Sequence, residues 1–162
     1  MDKQEYGEKY QEHLMHQYEL YVEMADRVTQ RRERSNRFYS ILLTGLLALV
    51  SAVAKIADWQ ISDYLPVVIL LAVGVAGLGI CVLWFINVKS YRLLNSGKFR
   101  VIHQLEQQLP FPCYQREWEF LRPESGRKQY MQLTRIEQWI PFVLALPYCG
   151  LIGFCIFILL TT

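Results

Sequence analysis

The residues able to do chemistry are few, and their spacing suits it poorly. His13 and His16 stand three apart beside Glu12, and an imidazole pair with a carboxylate is the beginning of a metal site. Two such ligands on an exposed helix are a weak signal, and a solvated helix face is the plainer account. His103 stands among glutamines. The cysteines, Cys81, Cys113, Cys149 and Cys155, include no C-x-x-C pair, and three of them lie inside apolar runs, where a thiol serves as small apolar filler. No G-x-S-x-G, P-loop, H-E-x-x-H or paired nucleophile and base occurs. The chain is therefore expected to be no enzyme and to carry no cofactor and no metal.

Arginine is the one strong chemical cluster. Arg27, Arg31, Arg32, Arg34 and Arg37 crowd the edge of the first apolar block. Guanidinium groups there read as a topology signal and as anchors for anionic lipid headgroups. A nucleic-acid backbone would also attract them. The net charge is only +2, however, and the tyrosines are better explained by helix packing and interfaces than by base stacking. Nucleic acid is not the expected partner.

These residues must be positioned by helices. The stretch from Tyr64 to Val88 contains no Lys, Arg, Asp, Glu or His, and at about 1.5 Å per residue it is long enough to cross a hydrocarbon core of roughly 30 Å. Lipid offers no partner to a bare N–H or C=O, so the run must be helical throughout. Residues 38–57 form a first apolar block, interrupted only by Lys55, and residues 139–160 a third. Mean hydropathy is only +0.12 because charge fills the gaps between the blocks. The first block starts behind a long polar segment, too late for a cleaved signal peptide.

The polar segments are periodic. Leu14, Tyr18, Tyr21, Ala25 and Val28 follow steps of four, three, four and three, a short seam on one helix face. This predicts a helix from about Gln4 that runs directly into the first span. In 89–109 an apolar stripe includes Tyr91, Leu94, Phe99, Ile102, Leu105 and Leu109, with Ser96-Gly97 a candidate kink and Pro110-Phe111-Pro112 the stop. A short helix is expected over 113–121, a turn at 122–126, and a capping box at Thr134 to Glu137 before the third span. Pro147 should bend that span. Small residues in the second span, Gly74, Gly77 and Gly79 among them, let backbones approach closely, within the hairpin or between subunits.

The expected fold is thus an all-α integral membrane protein, with three transmembrane helices plus a cytoplasmic helical layer, homo-oligomeric. Its domains are a cytoplasmic amphipathic helix (1–37), a transmembrane hairpin (38–88), a cytoplasmic helical segment (89–138) and a third transmembrane helix (139–162). Residues 1–37 carry seven Lys/Arg and 89–138 carry nine, whereas 57–63 carry none. Positive-inside then places the N-terminus in the cytoplasm and the C-terminus in the periplasm. The N-terminal stripe is expected to pack on another subunit or on residues 89–137. One short chain can hardly bury all its stripes alone, so Leu14, Tyr18, Tyr21, Ala25, Val28, Gly74, Gly77, Gly79, Ile102 and Leu105 are the candidates for an oligomer interface.

Four ordered stretches carry a family resemblance: LYVEMADRVTQRRERSNRFYS at 20–40, SYRLLNSGKFRVIHQLEQQLP at 90–110, EWEFL at 117–121 and LTRIEQWIPFV at 133–143. Together they resemble the RipA-like octameric membrane protein family of bacteria. The resemblance implies an inner-membrane protein of eight copies and assigns no catalytic residue. Partners expected are membrane lipids, the chain itself and an unidentified cytoplasmic protein. Two functions compete. One is a scaffold or sensor whose cytoplasmic helical ring binds a partner. The other is a gated pore or membrane-disrupting effector in stress response or phage defence, against which stands the lack of a polar stripe in any span.

Overall fold

A computed structural model describes residues 3–56, 64–121 and 136–161. Every element among them is helical: α1 Lys3–Tyr6, α2 Tyr10–Ile56, α3 Tyr64–Glu106, α4 Cys113–Leu121 and α5 Ile140–Thr161. The helix expected from Gln4 is broken at Gly7, whose φ of 88° is a conformation that a side chain resists and glycine accepts. Beyond it α2 runs unbroken from the polar seam through the first apolar block. Likewise α3 continues through Ser96 and Gly97 without interruption.

Three expected spans become two. Among the described residues, Leu65–Glu106 and Ile140–Thr161 are long and apolar enough to cross a membrane. The block at 38–57 is instead the last part of α2. Arg37 and Lys55 bracket it and leave an uncharged stretch at 38–54, which at about 1.5 Å per residue is at the lower limit for crossing a hydrocarbon core of roughly 30 Å. Ala57, the loop to Asp63, the turn at 122–126 and Thr134 of the capping box lie outside the described residues.

The chain divides into two compact units. The first comprises Met1–Arg32 and Ser90–Gln132. Its helices are antiparallel: Tyr10 bonds Gln108, Tyr18 bonds Glu106 and Tyr21 lies under Lys98, so one number falls as the other rises. Its core holds Leu14, Ala25, Val28 and Ile102. Full burial of a side chain such as Ile102 contributes about 2 kcal/mol.

The second unit comprises Glu33–Lys89 and Leu133–Thr162. Leu43, Cys81, Trp84, Val88 and Tyr148 form its core, from α2, α3 and α5. The Trp84 indole N–H donates to Asn36 Oδ1 at 2.9 Å, and Tyr39 stacks on the same ring at 5.9 Å. Outward-facing side chains stay apolar: Phe157 is 65% and Leu160 81% exposed. An exposed apolar surface on this scale asks for a non-aqueous or protein neighbour.

Candidate functional site

Glu106 organises the first unit. It sits four residues after Ile102 on the stripe of α3, so it points inward, and only 1% of it is exposed. A buried carboxylate must be fully hydrogen-bonded. Pro110-Phe111-Pro112 stops the helix and turns the chain back, which delivers the start of α4 to that carboxylate. Oε1 accepts the Tyr114 amide at 2.8 Å and the Tyr18 hydroxyl at 3.2 Å, and Oε2 accepts the Gln115 amide at 3.2 Å. Glu106 therefore caps α4 from another helix. The positive N-terminal end of α4 compensates its charge in part.

The arrangement perturbs two phenols. Burial, then the nearby Glu106 carboxylate, pushes Tyr18 from 10.0 up to about 12. Burial, then Glu117, Glu106 and Asp26, raises Tyr114 as well. Both stay protonated at neutral pH, and the Tyr18 hydroxyl donates to Glu106.

Beside this cap lies a cleft of about 500 Å³ whose lining includes Tyr18, Phe99 and Tyr114 and the carboxylates of Glu19, Glu23 and Asp26. Glu23 pairs with Arg27 at 2.6 Å, and Asp26 accepts the Gln30 amide at 3.1 Å. Among the described residues no basic side chain lines the cleft. An aromatic floor under an anionic rim suits a cation, through ring faces and carboxylates together.

The residues expected to meet another subunit are placed as follows. Leu14, Ala25, Val28 and Ile102 are buried inside one chain, Leu105 is half-buried, and Tyr18 and Tyr21 are engaged by Glu106 and Lys98. A Cβ on Gly77 would lie 2.1 Å from the Tyr148 ring, and one on Gly74 would lie 2.6 Å from Ile152. Both glycines therefore receive α5 rather than α2. Gly79 faces open space. Among the arginines, Arg27 is held by Glu23, Arg31, Arg34 and Arg37 are exposed, and Arg32 is half-buried. His13 is bonded to the Tyr6 hydroxyl at 2.7 Å. Among the described residues no three metal-ligating side chains converge.

Sequence reasoning missed Glu106 and Tyr148. The signal for Glu106 was a lone acid on an apolar stripe. That for Tyr148 was a phenol inside an uncharged block, next to the proline that breaks its helix's bonding.

Comparison with known proteins matches the model of the octameric membrane protein family (8xMP) over residues 15–158, and the chain belongs to that family. No curated protein and no solved structure matches it.

Proposed function

We propose that this member of the octameric membrane protein family is a non-catalytic scaffold or sensor of the bacterial inner membrane, with its first unit presented to the cytoplasm. The observation that supports this reading is the Glu106 cap. The first unit has its own apolar core and a charge-compensated fold-back of α4, built on the same two helices that carry the apolar segments of the second unit. It is a folded polar unit rather than a frayed helix end. The same fold-back places Phe111 and Phe120 at the surface, where an apolar face of a cytoplasmic protein could be recognised.

The topology follows the excess of Lys and Arg in the two polar segments. At the edge of the apolar segments Ser35 and Asn87 bond each other and the Trp84 indole bonds Asn36, and within the first apolar block the Thr44 and Ser51 hydroxyls bond carbonyls of their own helix. They do not form a stripe along which water would pass, which favours the scaffold over the gated pore or effector.

The test is induced expression in a bacterium while the membrane potential is followed with a fluorescent dye. A scaffold or sensor leaves the potential unchanged at expression levels that give full assembly. Depolarisation on induction would overturn this reading in favour of the pore.

A further inference from the structure

The two flanks of the first unit differ in chemistry. One is the cleft floored by Tyr18, Phe99 and Tyr114 and rimmed by Glu19 and Asp26. The other follows from helix geometry. At about 100° per residue, Met24 lies nearly opposite both Val22 and Asp26 around α2, and Leu94 lies about 140° around α3 from Phe99. This second flank is apolar: Leu20, Met24 and Leu94 are 40% to 51% exposed. It also carries a cation, because Lys98 Nζ stands over the Tyr21 ring at 5.5 Å from its centroid.

A closed ring of identical chains joins two different patches of each copy, one accepting and one entering. Copies that cross one bilayer in one orientation are related by an axis along its normal, and rotation about that axis preserves height. An entering patch must therefore stand level with the accepting one. Lys98 meets this condition, being adjacent in sequence to Phe99 of the cleft floor.

We propose that the aromatic, acidic cleft of one copy receives the Leu94–Lys98 edge of the next, and that this contact closes the octamer outside the membrane. Leu94 and Met24 cover the rings of Phe99 and Tyr114. The Lys98 ammonium meets Asp26 and Glu19, the two rim carboxylates that no cation neutralises among the described residues. Glu23 is already held by Arg27. The inference rests on membership in an octameric family and not on what the assembly does.

The experiment is native mass spectrometry of the full chain in lipid nanodiscs, with circular dichroism to follow helix content. Lys98→Glu and Asp26→Lys are each expected to lose the eight-copy species while keeping wild-type helicity. The double variant, which exchanges the two charges, is expected to recover it, and Lys98→Arg is expected to keep it. Two single variants that remain octameric would overturn the proposal and leave the cleft to a cationic ligand. A loss that the double variant does not repair would also overturn it. If the wild-type chain shows no eight-copy species, the assembly itself is contradicted, a result distinct from failure of this contact.

Discussion

The ring of Tyr148 lies against the backbone of Gly77, and its hydroxyl donates to the carbonyl of Leu43 at 2.7 Å. One side chain of α5 thus ties together α2 and α3. In lipid there is little hydrophobic drive between helices, so such close approach and such bonds hold the bundle.

Gly77→Ala is expected to destabilise the second unit by about 1–3 kcal/mol, the usual range for overpacking. A methyl there would sit 2.1 Å from a rigid ring carbon. Gly79→Ala, with open space around it, is expected to leave the isolated chain's stability nearly unchanged. Thermal unfolding of the two variants in detergent checks the contrast.

Tyr148→Phe keeps the ring and removes only the hydroxyl. The Leu43 carbonyl lies within α2 and retains its helical partner. The expected loss is about 0.5–1.5 kcal/mol, that of one net hydrogen bond. A larger loss would mean that the bond orders α5 as well as tethering it.

Glu106→Ala is expected to cost about 2 kcal/mol, by removing a helix cap and leaving buried donors unpaired. The Tyr114 and Gln115 amides should then exchange hydrogen much faster. Glu106→Gln keeps acceptor capacity on one side only and should fall between. Hydrogen exchange resolved to α4 distinguishes the three chains.

Alkaline pH should loosen the first unit. Tyr18 is raised from 10.0 to about 12 in the folded chain, so its contribution is fully present below about pH 10, the ordinary tyrosine value. It is lost as pH rises through about 12, because the unfolded chain releases the proton first. Tyr18→Phe should abolish this part of the alkaline loss, as read by helix content against pH. An unchanged profile would remove Tyr18 from the account.

Cys113 reports orientation. It is exposed at the start of α4, outside the apolar segments; Cys81 and Cys155 are buried, and Cys149, exposed within α5, is replaced in a Cys149→Ser background for this test. A membrane-impermeant maleimide should label Cys113 only after cells are permeabilised. Labelling of intact cells would reverse the topology proposed.

Much of this was legible in the sequence, for definite reasons. The period of the seam at Leu14, Ala25 and Val28 selects the face that α2 buries, and prolines bound α4 at its start. The third apolar block, read as 139–160, is α5 at Ile140–Thr161. Pairings between distant segments were not legible. Gly77 carries no mark naming Tyr148 as its neighbour, and Glu106 looks like any polar residue until the chain returns α4 to it. The span count differs because the first apolar block is continuous with the polar seam in one helix, with Arg37 and Lys55 at its edges, and does not stand out among the described residues as the other two do. The period of the N-terminal seam leaves open whether it packs on another subunit or on 89–137, because periodicity marks a buried face and not its partner; in the structure Tyr10 and Tyr18 meet Gln108 and Glu106 of the same chain.

The most direct measurement is the mass of the wild-type chain in lipid nanodiscs by native mass spectrometry. A single closed species of eight copies is predicted. A monomer, or a continuous spread of sizes, would contradict the account, since the cleft and the Leu94–Lys98 edge would then have no copy to join.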